Sequence, residues 1–407
     1  MNTDETASSP TGNYFHRHLN FAIFLLENYK GEAPFHLYLK KYFAVNKRHG
    51  SKDRKQISSL CYSFFRLGFG VSSTKTIEEK LFLATFLIEK KPSSLLEQFN
   101  TEWNEKIELE LPDKIKELKN IFDIEKIFPF KEELSKEINF ESFNFSFLQQ
   151  PKLFIRIRPG KERSVFHKLE NANISFEKIS QNCLAFSNAT KITEVLNIDK
   201  EAVIQDYNSQ KTLNLFTSYI PNPTSNISIW DCCAASGGKS ILIHDLLKNI
   251  ELTASDTRKS ILKNLGSRFA KAGIKNYSSF TADLSISMAL KQIETSFDLI
   301  IADVPCSGSG TWARTPEQLL YFNKGEILKY AELQQKIVLN AAKYLKAGGY
   351  FLYITCSVFK KENEENVAFI QKECGLEIIK TEYLKGYEIQ ADTLFAALFK
   401  NRLKAIS

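Results

Sequence analysis

Residues 227–240 read ISIWDCCAASGGKS, in which a short apolar strand is followed directly by a glycine-rich turn and a helix-forming segment. The same alternation continues through ELTASD (251–256), SSFTAD (278–283), FDLIIADV (297–304) and GGYFLYITCS (348–357), with helical segments such as 259–272 and 326–345 between them. Strands that alternate with helices are typical of a doubly wound, mainly parallel sheet. The sequence therefore predicts a Rossmann-like α/β domain, and such sheets bind ligands beyond the carboxyl ends of their strands.

The residues before this domain fall into two further parts. Leu19, Ala22, Ile23 and Leu26 share one helical face, and helix-like spacing continues to about residue 142. The segment PKLFIRIRPGK (151–161) instead predicts a strand that ends in a Pro-Gly turn, with a helix over 163–171 after it. We therefore expect an all-α domain over residues 1–145, a small α/β module over 146–210 and the Rossmann-like domain over 211–407.

The composition is that of a globular protein, since 43% of the 407 residues are hydrophobic and 25% are charged. No apolar run approaches the roughly 18 residues that a membrane span needs, and the polar N-terminus MNTDETASSPTG predicts no signal peptide. The seven cysteines include no C-x-x-C pair, which predicts neither a disulfide framework nor a zinc site. We expect a cytoplasmic monomer that holds no metal ion.

Positive charge is concentrated between His36 and Gly70. This window carries one acid, Asp53, and eight basic residues: Lys40, Lys41, Lys47, Arg48, Lys52, Arg54, Lys55 and Arg66. Its net charge of +7 equals that of the whole chain. A local basic patch suggests a polyanionic partner such as RNA, whereas a solvated helix surface in a lysine-rich protein explains the same charges equally well.

The glycine-rich turn admits three interpretations. Gly237 and Gly238 permit a tight turn and a close approach of a ligand to the backbone at a helix N-terminus. The phosphate-loop pattern G-x-x-x-x-G-K-[ST] fails, because Cys233 stands at its first glycine position. The dinucleotide pattern G-x-G-x-x-G is absent as well. The third interpretation is a loop for the methionine end of S-adenosylmethionine.

Two acidic residues follow the next two strands. Asp256 ends the second strand about 20 residues after the turn, where a carboxylate can accept hydrogen bonds from both ribose hydroxyls. Asp283 ends the third strand, where a carboxylate can accept a hydrogen bond from the exocyclic amine of an adenine. Helix capping explains each aspartate taken alone better. The ordered series of glycine turn, first acid and second acid favours a nucleoside cofactor.

The fourth and fifth strands end in Asp303-Val304-Pro305-Cys306 and Thr355-Cys356-Ser357. Cysteines at the carboxyl ends of neighbouring strands are expected to lie close together and to face the cofactor. Carbon 5 of cytosine is a poor nucleophile, but addition of a thiolate to carbon 6 activates it, and a carboxylate at the base edge supports protonation of ring nitrogen 3. No histidine follows His244, and this chemistry requires none. Methyltransferases that act on amino groups instead carry an Asn- or Asp-Pro-Pro-aromatic loop at this place.

The combined motifs resemble the Sun/Nop-type family of RNA cytosine-5 methyltransferases, which depend on S-adenosylmethionine. The resemblance covers roughly residue 152 to the C-terminus, and it lies in Asp-x-Cys-Ala-Ala-x-Gly-Gly-Lys from Asp231, Asp-x-Pro-Cys-Ser-Gly-x-Gly from Asp303 and Thr-Cys-Ser from Thr355. Residues 46–66 (NKRHGSKDRKQISSLCYSFFR) are similar to the N-terminal helical domain of bacterial members, which has the fold of an antitermination factor and contacts RNA.

Carried over by position, the resemblance implies that Cys356 is the nucleophile, that Cys306 assists product release and that Asp303 serves both catalysis and cofactor binding. It places the cofactor against Asp256, Asp283 and the loop residues Cys233, Ala234, Ala235, Ser236, Gly237, Gly238 and Lys239. The chemistry of the residues alone leaves open which of the two cysteines attacks. Two positions depart from the family pattern: Ser236 stands in place of a proline, and Ala391-Asp392-Thr393-Leu394-Phe395 replaces Asp-Gly-Phe-Phe.

The implied substrate is a cytidine in structured RNA, with ribosomal RNA as the first choice and tRNA as the alternative. The N-terminal helices, together with Arg156 and Arg158, are expected to contact the RNA backbone. A non-catalytic RNA-binding ribosome assembly factor is a second class, which the presence of Cys306, Cys356 and Asp303 disfavours. A phosphate-loop ATPase is a third, which the missing first glycine disfavours.

Overall fold

The computed structural model describes residues 14–219, 226–247, 249–286, 290, 293 and 296–402. The polar N-terminal stretch in which a signal peptide was sought lies outside the described residues. The chain divides into two compact units. The first comprises Met1–Lys131, Phe140–Gln149 and Trp312–Phe322, and the second comprises Glu132–Asn139, Gln150–Thr311 and Asn323–Ser407.

The first unit is helical in its described residues, as the sequence predicts. Its helices are α1 (Tyr14–Asn28), α2 (Phe35–Val45), α3 (Ser51–Arg66), α4 (Ile77–Ile88), α5 (Ser94–Phe99), α6 (Thr101–Glu105), α7 (Leu111–Glu117), α8 (Phe140–Phe147) and the downstream α14 (Gln318–Tyr321).

The core of this unit combines the apolar face of α1 with a cluster of aromatic rings. Leu19 and Leu25 are fully buried. The rings of Tyr29 and Phe35 lie 4.9 Å apart, and those of Phe35 and Phe65 lie 4.8 Å apart, both edge to face. Edge-to-face rings stabilise a core beyond the area that they bury, so this cluster holds α1, α2 and α3 together.

The second unit begins with a small antiparallel sheet in the order β2-β3-β1-β4. Its elements are β1 (Leu153–Ile157), α9 (Glu162–Asn171), β2 (Glu177–Lys178), β3 (Cys183–Phe186) and β4 (Ala202–Ile204). The strand and helix predicted between residues 151 and 171 are thus confirmed.

The rest of the second unit is a larger sheet with flanking helices. Its described elements are α10 (Tyr207–Lys211), α11 (Asn214–Thr217), β5 (Ile227–Asp231), α12 (Gly238–Leu246), β6 (Ile250–Asp256), α13 (Lys259–Ala272), β7 (Tyr277–Thr281), β8 (Phe297–Asp303), α15 (Gly325–Ala342), β9 (Leu345–Thr355), α16 (Glu364–Cys374), β10 (Glu377–Leu384) and β11 (Leu394–Lys400).

The order of the strands places the ends of β5 and β8 at the centre of this sheet. The described strands run β10-β11-β9-β8-β5-β6-β7; β5 to β9 are parallel, and β11 runs antiparallel to both of its neighbours, β9 and β10. The chain moves outward from β5 to β7 and then returns to the other side of β5 as β8. The sheet therefore reverses its winding between β5 and β8, and α/β proteins bind their ligands at such a switch point.

Burial explains why β8 reads as an almost continuous apolar run. Leu299, Ile300, Ile301 and Ala302 are fully buried, as expected of a central parallel strand that is covered on both faces. The α/β fold predicted from the alternating pattern is confirmed, including the small module and the helices before it.

One prediction made from the sequence is wrong. Arg156 and Arg158 were expected to contact RNA, but they are only 6% and 9% exposed. Arg156 Nη1 lies 2.6 Å from Asp245 Oδ2, and Arg158 Nη2 lies 2.7 Å from Asp245 Oδ1. Both guanidinium groups thus share one buried carboxylate of α12, and they join the small sheet to this helix.

Candidate active site

The glycine-rich loop leaves β5 at Asp231 and enters α12 at Gly238. Ala235 and Gly237 both have positive φ angles, +47° and +82°, so the backbone turns sharply on either side of Ser236. A Cβ atom at Gly237 would stand 2.6 Å from the ring of Phe269. A Cβ atom at Gly238 would meet nothing within 4 Å. Only glycine fits the first position, and the second borders open space at the N-terminus of a helix.

Asp256 lies at the carboxyl end of β6, directly beside this loop. Its Oδ2 accepts a hydrogen bond from the Ala235 amide at 3.0 Å, and its Oδ1 accepts bonds from the backbone and side chain of Arg258. Burial by itself raises the pKa of Asp256, but the hydrogen bonds from Arg258 and Ala235 outweigh burial and lower this pKa. The loop therefore faces a fixed negative charge.

Asp283 is placed differently from Asp256. It follows the last residue of β7, Thr281, by two positions and is exposed. Its described hydrogen bonds come from the backbone and the hydroxyl of Ser285. The contacts of Asp283 are thus those of a turn cap, and its assignment to an adenine stays a prediction.

Lys239 and Asp303 form an ion pair at the switch point. Lys239 extends from α12 and is buried, and its Nζ lies 2.6 Å from Asp303 Oδ2 and 3.5 Å from Ser209 Oγ. Burial by itself lowers the pKa of Lys239, but the charge and the hydrogen bond of Asp303 outweigh burial and raise this pKa. Asp303 keeps 34% of its side chain exposed, so its carboxylate is held in place and is still accessible.

The two cysteines of the fourth and fifth parallel strands meet, as expected from their positions. Cys306 Sγ and Cys356 Sγ are 3.1 Å apart, and the Cys356 amide donates to Cys306 Sγ at 3.3 Å. The hydrogen bond with Cys356, together with burial, raises the pKa of the Cys306 thiol well above its ordinary value. Cys306 is therefore a neutral thiol near pH 7, and a neutral thiol is a poor nucleophile.

Glu362 connects the two cysteine loops, a role that the motifs alone did not assign. It is fully buried, and it accepts hydrogen bonds from the Ser307 amide at 2.9 Å, Ser357 Oγ at 2.7 Å and Gln334 Nε2 at 2.8 Å. Burial raises the pKa of Glu362 against the effect of these hydrogen bonds. In the sequence, Glu362 begins the segment Glu362-Asn363-Glu364, which follows Thr-Cys-Ser and contributes to the family resemblance but assigns Glu362 no structural role.

The atypical segment near the C-terminus is part of the same framework. The Thr393 amide donates to the Gly310 carbonyl at 2.9 Å, and the Gly310 amide donates to the Cys356 carbonyl at 2.8 Å. A Cβ atom at Gly310 would stand 2.0 Å from the Thr393 carbonyl oxygen. Although this segment departs from the family pattern, it is hydrogen-bonded to the loop that follows Cys306.

The basic patch predicted from the sequence separates into buried and accessible parts. Arg66 is buried and donates to the Phe147 carbonyl, and Arg54 donates to the His49 carbonyl. Lys52 and Lys55, by contrast, line a cavity of about 480 Å³ within the first unit, and Lys91, which lies outside the patch, lines it too. Only part of the patch is therefore free to bind a polyanion.

Membrane-spanning helices and clusters of metal-binding side chains were looked for in the described ranges. None of the helices in the described ranges is long and apolar enough to cross a membrane. No group of three or more His, Cys, Asp or Glu side chains in these ranges could hold a metal ion.

A doubly wound sheet with an antiparallel β10–β11 edge and a glycine-rich loop after its first strand is a Rossmann-like methyltransferase domain. Residues 218–399 match the family model described as 16S rRNA methyltransferase RsmB/F. This match bears out, over this domain, the resemblance to the Sun/Nop-type family that the motifs predicted.

Two curated relatives illustrate the match. The probable ribosomal RNA small subunit methyltransferase B of Bacillus subtilis is 33% identical over 178 residues, which cover 42% of this chain and 38% of the relative. The human tRNA (cytosine(72)-C(5))-methyltransferase NSUN6 is 30% identical over 171 residues, which cover 39% of this chain and 36% of the relative. The chain thus spans less than two fifths of the length of either relative.

Two solved structures share the fold. The crystal structure of PH0851 superposes with a TM-score of 0.68 and 19% identity, covering 96% of this chain and 99% of that chain. NSun6 from Pyrococcus horikoshii, solved with SFG, superposes with a TM-score of 0.56 and 17% identity, covering 66% of this chain and 97% of that chain.

Proposed function

We propose that this protein transfers a methyl group from S-adenosylmethionine to carbon 5 of a cytidine in RNA, through a covalent adduct with Cys356. The observation that carries the proposal is the pair of thiols 3.1 Å apart at the ends of two neighbouring strands, on the same sheet edge as the Lys239–Asp303 ion pair. Ribosomal RNA is the proposed substrate and tRNA is the alternative, in line with the names of the relatives. The protein acts as a cytoplasmic monomer.

The residues of the glycine-rich loop fit the cofactor. Open space beside Gly238 admits a ligand at the N-terminus of α12, where backbone amides and the helix dipole favour a carboxylate. Asp256 is ionised, and its carboxylate accepts four hydrogen bonds, from the Ala235 amide and from the backbone and side chain of Arg258. A bound ribose would replace the hydrogen bonds from the exposed Arg258 side chain. When bound, S-adenosylmethionine supplies the methyl group on a sulfonium centre. Cys233 to Lys239, Asp256, Asp283 and Asp303 would line its site.

Asp303, Cys356 and Cys306 act on the cytosine base in the proposed reaction. Asp303, held in place by Lys239, binds the edge of the cytosine and supports protonation of ring nitrogen 3. The Cys356 sulfur forms a bond to carbon 6, which makes carbon 5 nucleophilic. After carbon 5 has gained its methyl group, a proton leaves carbon 5 and the Cys356 thiolate leaves carbon 6, which restores the ring double bond. Cys306 promotes this release.

Two lysines of the basic patch, together with Lys91 outside it, form the proposed contact to the RNA backbone. Lys52, Lys55 and Lys91 line one cavity of the first unit, and lysine side chains bind phosphates without reading sequence. The three-part organisation over residues 1–145, 146–210 and 211–407 belongs to the same proposal, with the first part as the RNA-binding domain.

Bisulfite sequencing of total RNA from a strain that lacks the protein, compared with the parent strain, tests the proposal directly. We expect one cytidine to lose its methylation, and the RNA that contains it decides between ribosomal RNA and tRNA. Complementation with Cys356→Ala should not restore the mark, whereas a purely structural assembly factor would leave no methylation difference at all. Calorimetry should detect binding of S-adenosylmethionine and not of ATP; the reverse would favour the ATPase.

A further inference from the structure

The glycine-rich loop lacks the proline that the resemblance leads one to expect, and an arginine contacts the residue in its place. Ser236 lies between Ala235 and Gly237, the two positions with positive φ angles. Arg268 Nη1 donates to the Ser236 carbonyl oxygen at 3.0 Å and to the Ser236 hydroxyl oxygen at 2.9 Å. One guanidinium nitrogen thus binds both the backbone and the side chain of this serine.

The same arginine is anchored on its other side. Arg268 Nε and Nη2 donate to Asp199 Oδ1 at 3.0 and 2.8 Å. Asp199 is buried next to the small sheet, and its own backbone is held at both ends: its amide donates to the Ala202 carbonyl at 2.8 Å, and its carbonyl accepts from Arg158 Nη1 at 3.0 Å. The guanidinium group therefore has little freedom to leave Ser236.

This arrangement restrains a loop that would otherwise be free to relax. A proline at this position would fix its own φ angle near −65°, whereas a serine does not. A non-glycine residue in the left-handed region, such as Ala235, persists only when its surroundings hold it there. Hydrogen bonds from a charged donor to the Ser236 carbonyl and hydroxyl supply that restraint without a covalent ring.

We infer that Arg268 is a positioning residue that pre-organises the cofactor loop, and that the pair Arg268–Ser236 does in this protein what proline does in the family it resembles. The identity of the ligand rests on the proposed function, but the restraint of the loop does not. The inference also assigns a role to Asp199, which links the small sheet to the cofactor loop through Arg268.

Hydrogen exchange of the full-length protein without cofactor tests the restraint directly. The amides of Ala234, Ala235 and Gly237 are all hydrogen-bonded in the loop and report its opening. We expect Arg268→Ala to speed their exchange and Ser236→Pro to slow it again in the double variant. Arg163→Ala, which removes an exposed arginine of α9, should change nothing.

Calorimetry with S-adenosylmethionine on the same variants tests the consequence for binding. Because a ligand binds only the fraction of molecules in the competent conformation, Arg268→Ala should weaken binding about ten-fold, and the double variant should recover to within about three-fold of wild type. Ser236→Ala, which removes only the hydroxyl acceptor, should weaken binding about three-fold. This milder variant keeps the experiment informative if Arg268→Ala folds poorly.

Each outcome bears on the inference. Unchanged exchange in Arg268→Ala would overturn it. Faster exchange that Ser236→Pro fails to reverse would also overturn it, because Arg268 would then act through general stability. If exchange responds as expected but the wild type binds no S-adenosylmethionine, the restraint stands and the proposed function fails.

Discussion

Replacing Cys306 by alanine should trap the protein on its RNA. In the proposed reaction the base is still bonded to Cys356 after methyl transfer, and release requires removal of a proton and departure of the thiolate. Cys306 Sγ lies 3.1 Å from Cys356 Sγ, within reach of the same reacting ring. A side chain that assists proton transfer contributes a factor of about 10² to 10⁴, which corresponds to about 3 to 5 kcal/mol of activation free energy.

The assay is denaturing electrophoresis of a single-turnover mixture with labelled RNA. Cys306→Ala should accumulate a protein–RNA band that decays about 10² to 10⁴ times more slowly than in wild type. Cys356→Ala should bind S-adenosylmethionine almost normally and form no band, and the double variant should behave like Cys356→Ala. Cys374→Ala, which alters a partly buried free thiol at the end of α16, is the matched control and should behave like wild type.

Two results would refute this reasoning. A trapped band in Cys356→Ala and none in Cys306→Ala would mean that the roles of the two cysteines are exchanged. The absence of a band in every variant, with RNA and cofactor both bound, would count against a covalent adduct altogether.

Three further predictions concern stability and RNA binding. Asp245→Ala leaves two buried guanidinium groups without their carboxylate, so it should lower the free energy of unfolding by about 3 to 5 kcal/mol in urea titrations; a loss below 1 kcal/mol would contradict the buried pair. Burial raises the pKa of the Asp231 carboxyl group from 3.8 to about 7. The folded protein therefore binds this proton more tightly than the unfolded chain does, so protonation of Asp231 stabilises the fold, and this stabilisation is lost as pH rises towards 7. Asp231→Asn should therefore flatten the decline of the urea midpoint between pH 4 and pH 8, and parallel profiles would disprove the shift. Changing Lys52, Lys55 and Lys91 to glutamate should reduce the slope of log affinity for RNA against log salt by about 0.7 to 0.9 for each lost phosphate contact, with cofactor affinity unchanged; an equal slope would leave the cavity without a role in RNA binding.

Much of the site was predictable because of the geometry of a parallel sheet. The carboxyl ends of parallel strands meet at one edge, so Asp256, Asp303, Cys306 and Cys356, each at or just after a strand end, could be placed together from their order in the chain. The role of Gly237 was equally predictable, because a position that combines a positive φ angle with close packing admits only glycine.

The fate of charged side chains was not predictable in the same way. Arg156 and Arg158 alternate along β1 and look accessible in the sequence. In the fold both are buried, and both donate hydrogen bonds to Asp245, almost ninety residues away. Local periodicity tells which side chains share a face, but it carries no information about what covers that face. The same limit applies to Arg66, which the sequence counts in the basic patch and the fold buries.

What the sequence by itself determined, then, was the alternation of strands and helices, the motif residues at the strand ends and the chemistry that thiols and carboxylates permit. Only the tertiary structure decided that Glu362 accepts hydrogen bonds from both cysteine loops and that Arg268 donates hydrogen bonds to Ser236. Both depend on hydrogen bonds between residues 5 to 55 positions apart whose side chains are neither unusual nor periodic. Such contacts form because burial leaves each polar group only the partners that the folded chain brings within reach.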